Sequence, residues 1–269
     1  MLRTAVRAAS WFSVLSLVCV LGVVAAAQSA ALPFLGRWTF NPAKSDLQTT
    51  RLIFAQAPSG EMTMTMQGLT YSFRIDGTER SSPLDSTATW TQTGPRTWRT
   101  VYRMAKTDNN IDTYTLSEDG KTLTMKTDYL VPKRFEQTIV FSRASGAAGL
   151  TGEWQTKTVQ TENRLELSSS DGKTVNVSWP SFGGRARVSV DGRESPVLGP
   201  LTSVPSGMTA SLKTTGPRTF DLAMKVKGVN VSTGHFTVAA DGKTMSAVTL
   251  TGAPGPAQEQ SKAFFERLP

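Results

Sequence analysis

Cysteine is almost missing from this chain. Its one copy, Cys19, lies within the first 27 positions. The remainder therefore has no disulfide framework, no thiol nucleophile and no thiolate metal site. Histidine is nearly as scarce. His235 stands alone, so a Ser-His-Asp arrangement or a histidine general base would have to use it. One histidine without cysteine excludes the common zinc and copper ligand sets. No loop shows the regular Asp/Asn spacing of a calcium loop. No metal and no cofactor is expected. Beyond residue 27, no apolar run approaches the ~20 residues of a membrane-spanning helix. A helical period is absent there too. Acid is in the minority, with 29 Lys and Arg against 21 Asp and Glu and a net charge of +8. The chain of 269 residues is 39% hydrophobic and 19% charged, which excludes collagen-like, coiled-coil and wholly disordered chains.

What is present begins with an export signal. Arg3 and Arg7 precede a nearly continuous apolar run from Trp11 to Val24, and Ala25-Ala26-Ala27 follows. This pattern predicts a signal peptide over 1–27, cleaved before Gln28. Losing Arg3 and Arg7 lowers the net charge from +8 to +6. The expected location is periplasmic or secreted, with no transmembrane segment in the mature chain.

The rest of the chain repeats itself. Gly36-Arg37-Trp38 recurs as Gly152-Glu153-Trp154, and Ile75-Asp76-Gly77 as Val190-Asp191-Gly192. Thr93 to Trp98 recurs as Thr215 to Phe220, Asp119 to Leu123 as Asp241 to Met245, and Phe141-Ser142-Arg143 as Phe265-Glu266-Arg267. The matches are collinear and their offsets nearly constant, the mark of a tandem duplication. Small residues at 145–149 read as the linker. The expected units are one barrel over 28–144 and a second over 150–269.

Both copies alternate with a period of two. Met62, Met64 and Met66 alternate with threonines, and Phe220, Leu222, Met224 and Val226 with Asp221, Ala223 and Lys225. One wet and one dry face mean antiparallel sheet. Five Asp-Gly pairs between such runs suit tight hairpin turns. The Asp-Gly-Lys-Thr sequences at 119, 171 and 241 are read the same way, because no helix follows to cradle a phosphate. About eight to nine short strands per copy would curl or close into a barrel. The fold class is all-β.

Gly-x-Trp on a first strand, a string of hairpins and a late arginine resemble the lipocalin and calycin pattern. That resemblance implies a tryptophan at the closed end of each barrel with the arginine across its ring. Closure within each copy pairs Trp38 with Arg143 and Trp154 with Arg267. Each copy also resembles a group of secreted bacterial proteins with Gly-x-Trp, Asn-x-x-Lys-Ser and Asp-Gly-Lys-Thr-Leu-Thr. Copy one carries all three, with Asn41 to Ser45 and Asp119 to Thr124; copy two lacks the middle one.

Candidate ligand-lining residues follow from inward parity. In copy one they are Met62, Met64 and Met66, then Tyr71, Phe73, Trp90, Trp98, Tyr102 and Tyr114. In copy two they are Trp179, Phe220 and Met224. Methionine adapts to irregular shapes, and tyrosine and tryptophan bring polar handles into an apolar space. His235 falls on the outward parity, where copy one has Thr113, so no catalytic role is expected for it. The expected function is a non-enzymatic exported binding protein holding a small apolar or amphipathic ligand. A second reading is an envelope interaction or inhibitor-like protein with solid barrels that binds a macromolecule through surface loops. A third is a carboxylate-dependent hydrolase using Glu118 with Asp119, or Glu162 with Glu166. The outward Arg99, Arg103, Lys225 and Lys227 suit weak attraction to an anionic envelope polymer. Nucleic acid is not an expected partner, because the charge is spread rather than clustered.

Overall fold

A computed structural model describes residues 32–46, 51–146, 148–252 and 258–269. The signal peptide expected over 1–27 falls outside the described residues. Period-two alternation becomes strand throughout, and one short 3-10 turn, Pro42–Lys44, is the helical element among the described residues. Two ten-stranded antiparallel sheets curl into two nearly closed barrels. The all-β, two-barrel expectation therefore holds. The count exceeds eight or nine because short edge strands, such as the two residues Ser195–Pro196, are too brief to show a period.

The barrels do not coincide with the sequence copies. Barrel one is contiguous: β2 (Arg51–Gln56), β3 (Met62–Met66), β4 (Leu69–Phe73), β5 (Glu79–Ser82), β6 (Ser86–Gly94), β7 (Thr97–Met104), β8 (Thr107–Leu116), β9 (Thr122–Tyr129), β10 (Phe135–Ser145) and β11 (Gly152–Gln160). Barrel two combines β1 (Gly36–Phe40) with β12 (Arg164–Ser168), β13 (Thr174–Trp179), β14 (Gly184–Ser189), β15 (Ser195–Pro196), β16 (Met208–Gly216), β17 (Thr219–Val226), β18 (Val229–Val238), β19 (Thr244–Thr251) and β20 (Glu259–Arg267). Each copy has given its Gly-x-Trp strand to the other barrel. This corrects the expected boundaries at 28–144, 145–149 and 150–269. The connection between β10 and β11 is short, and sequential strands on short connections pair with each other. β11 thus folds back on β10 and fills the place between β10 and β2. β1 takes the equivalent place between β20 and β12.

The closure pairs are corrected in the same way. Arg143 lies over the ring of Trp154 at 4.0 Å, and Arg267 over that of Trp38 at 4.2 Å. The expected partners were Trp38 for Arg143 and Trp154 for Arg267. The motif works as foreseen, but with exchanged strands. Each indole N–H donates to a backbone carbonyl four residues upstream, Phe34 for Trp38 at 2.9 Å and Leu150 for Trp154 at 2.8 Å. Each guanidinium donates to three carbonyls: Gly120, Thr151 and Gly149 from Arg143, and Gly242, Leu35 and Pro33 from Arg267. The motif glycine makes room for this. A Cβ on Gly36, whose φ is +140°, would meet Arg267 Nη1 at 2.3 Å. On Gly152, at +138°, it would meet the Ser145 carbonyl oxygen at 2.2 Å.

The Asp-Gly turns behave as read. Each aspartate accepts a hydrogen bond from the backbone N–H two residues on: Thr78 to Asp76, Lys121 to Asp119, Lys173 to Asp171, Arg193 to Asp191 and Lys243 to Asp241. At Asp171 the Thr174 N–H donates as well, and the bonds from Thr174 and Lys173 favour the charged carboxylate and hold it down at about 2. The seams differ between barrels. In barrel two the ends of the sheet are bridged where Arg185 of β14 and Leu198 exchange hydrogen bonds at 2.9 and 2.7 Å. Beside the barrel-one seam, the Gly77 N–H donates to the Trp90 carbonyl of β6 at 2.9 Å, as the Gly192 N–H does to the Leu212 carbonyl in barrel two.

Candidate functional site

Alternation puts every second side chain inside a barrel. In barrel one Met62, Met64, Tyr71, Phe73, Trp90, Trp98 and Tyr114 share one buried cluster, with Met66 and Tyr102 packed at its margin. Trp179 and Phe220 sit in the barrel-two cluster, with Met224 at its margin. Rings fill the middle of barrel one. Trp90 is sandwiched between Phe73, at 4.2 Å, and Tyr114, at 5.1 Å, and Phe54 meets its edge at 5.8 Å.

One end of that stack is polar. The Trp90 indole donates to the Tyr71 hydroxyl at 2.9 Å, which shares a 2.8 Å hydrogen bond with Tyr102. Next to these phenols lies Asp112, only 6% exposed. It accepts from Asn110 Nδ2 at 3.0 Å and from the Tyr114 hydroxyl at 3.2 Å, and Thr127 is a third hydrogen-bond partner. All three are neutral, and among the described residues no Lys, Arg or His forms an ion pair with Asp112. Burial is the main force on the carboxyl and pushes its pKa up to about 6 against those bonds. Burial likewise raises the phenols of Tyr71, Tyr102 and Tyr114. Thr100 stands directly opposite Asp112 on β7. Its hydroxyl is wholly buried and has no hydrogen-bond partner among the described residues.

Barrel two shows what this position looks like without the polar groups. Register makes the comparison residue by residue. Thr100 opposite Asp112 becomes Leu222 opposite Gly234, and Tyr102 opposite Asn110 becomes Met224 opposite Ser232. Trp98 opposite Tyr114 becomes Phe220 opposite Phe236. A Cβ on Gly234 would strike the Phe236 ring at 2.5 Å. In barrel two a ring therefore covers the place that the Asp112 carboxylate holds in barrel one.

The polar end reaches the rim. Tyr102, Asn110 and Tyr129 are half-buried, and Tyr129 stacks on Phe135 at 4.2 Å. A groove of about 370 Å³ lies on the outer side of that rim, between Ile111 and Asp128 and the Tyr129–Phe135 turn, and none of Asp112, Thr100, Tyr71 and Tyr102 lines it. A larger groove of about 830 Å³ lies elsewhere, between the Pro42–Lys44 turn and the Thr156–Thr161 end of β11.

Other candidates stay apart from this end. His235 is exposed on β18 and bonds Asp221 across the strands at 2.6 Å. Glu118 pairs with Arg96 at 3.0 Å on the surface. Of the outward cations, Arg103 pairs with Glu79 and Asp108, Lys225 with Glu194 and Lys227 with Asp85. No group of three or more His, Cys, Asp or Glu among the described residues could hold a metal.

No protein-family model, no curated protein and no solved structure matches this chain. The barrel pair is compatible with a lipocalin-like architecture.

Parity reasoning found the tyrosines and missed their carboxylate. Asp112 has the parity of Tyr114 and Leu116, and its repeat partner is Gly234. An acid on the dry face of one copy, against glycine in the other, was the available signal.

Proposed function

We propose that this is a non-enzymatic binding protein, acting outside the cytoplasm, whose barrel one takes a small amphipathic ligand at its Tyr102–Asp112 end. Barrel two is its structural partner. The observation that carries this reading is the polar cluster Asp112, Thr100, Tyr71 and Tyr102 inside one barrel and its apolar replacement inside the sister barrel. Burying a carboxylate and an unpartnered hydroxyl costs stability. The sister barrel closes without them, so closure does not require them. A nearly closed barrel compatible with a lipocalin-like architecture supports the same reading, as does the half-buried rim at Tyr102. The expected role of the carboxylate is to hold a ligand, since its neighbours fix it in place through three neutral donors.

Native mass spectrometry on protein purified from its own host tests this. The expected result is a co-purified small molecule, one per chain, lost from the Asp112→Leu variant. Protein of bare mass that also fails to take up any small amphiphile would refute it and favour the solid-barrel reading, in which surface loops bind a macromolecule.

A further inference from the structure

The proposed ligand can be given a chemical class. Building on the binding role just described, we infer that it is an organic cation, an amine or quaternary ammonium with an apolar body, whose head sits at Asp112 among the phenol rings of barrel one.

Charge complementarity is the first argument. Asp112 is buried and no cation among the described residues pairs with it; its partners are an amide, a phenol and a threonine hydroxyl. A carboxylate kept inside a barrel without a counter-ion leaves a place for a positive charge, and a paired buried charge is far less costly than a lone one. The second argument is the wall. Tyr71 and Tyr102 stand at that end, hydrogen-bonded to each other through their hydroxyls, and the faces of such rings attract ammonium groups. An anionic head would face Asp112 and lose on both counts. The third argument is independent of charge. Thr100 Oγ1 is fully buried, unpartnered and cross-strand to Asp112. A primary ammonium has three donors, enough for the carboxylate and this hydroxyl together.

The test compares one octyl chain with three heads. Octylamine, octanol and octanoate are titrated into the mature chain by calorimetry, with octyltrimethylammonium as a fourth probe. Octylamine should bind once per chain and about tenfold or more tighter than octanol, the size of a hydrogen bond to a charged group. Asp112→Asn should abolish that preference while octanol binding remains. If this variant fails to fold, Tyr102→Phe, which keeps the ring face, should retain the preference and Tyr102→Leu should weaken it. Equal or tighter binding of octanol or octanoate overturns the cation assignment and leaves the binding role standing. No binding of any octyl probe, with no co-purified molecule, overturns both.

Discussion

Replacing Asp112 by Asn removes the charge and nearly keeps the shape. A carboxyl that titrates at about 6 in the folded protein and at 3.8 when free costs the folded state about 3 kcal/mol once ionised, at 1.36 kcal/mol for each pH unit between them. The sign follows from proton counting. Between those two values the folded state binds more protons than the unfolded one, so stability contributed by this group falls as pH rises. The loss starts near the free value and is complete above about 6. Roughly 2 of the 3 kcal/mol develop between about pH 4.5 and about pH 7.5. Urea unfolding of both proteins at those two pH values, without ligand, isolates the group, because every other titration is common to both. The difference between Asp112→Asn and wild type should move in favour of the variant by about 2 kcal/mol on going to the higher pH. The absolute difference also includes any change in the bonds from Asn110, Tyr114 and Thr127, so the change with pH is the decisive quantity. A difference that stays constant across that range, or moves the other way, would refute the picture of an unpaired buried carboxylate.

The exchanged closure pairs predict coupling between Arg143→Leu and Trp154→Leu of about 0.5–2 kcal/mol in a double-mutant cycle. Arg143→Leu with Trp38→Leu should be additive, and coupling there would contradict the strand exchange. Residues 51–160, expressed alone, should fold cooperatively by circular dichroism, because every strand of barrel one lies within them. Residues 28–144 lack β11 and should not fold to the same structure; equal folding of both segments would argue against the barrel assignment. His235→Ala should change stability by no more than about 0.5 kcal/mol in the same urea assay, as at ordinary surface sites.

Strand content, antiparallel order, the turn aspartates and the Gly-x-Trp and arginine motif were legible in the sequence, because period-two alternation and duplication leave local marks. The partner of each closing strand was not. Trp38 sees the same kind of strand pair in either barrel, so nothing in its own copy distinguishes Arg143 from Arg267. The choice is made by the short connection between β10 and β11, a property of chain geometry. Inward parity pointed to Tyr71, Tyr102 and Tyr114. Asp112 was overlooked because carboxylates are ordinarily solvated, and its burial depends on the strands on both sides of β8. The shape of the two grooves arises from tertiary packing and had no sequence signal.

The exchange of first strands also sets an order for assembly. Barrel one can close as soon as residue 160 has left the ribosome. β1, made earlier, cannot: it pairs with β12 and β20, and its closing arginine lies 232 positions beyond Leu35. Throughout that interval Trp38 and Phe40 have no barrel to enter, while a finished neighbour folds beside them. This is the stage at which an unpaired strand edge and bare apolar faces invite misassembly. The first strand among the described residues is thus among the last to find its place, and the exposed interval grows with every residue of the barrel inserted behind it.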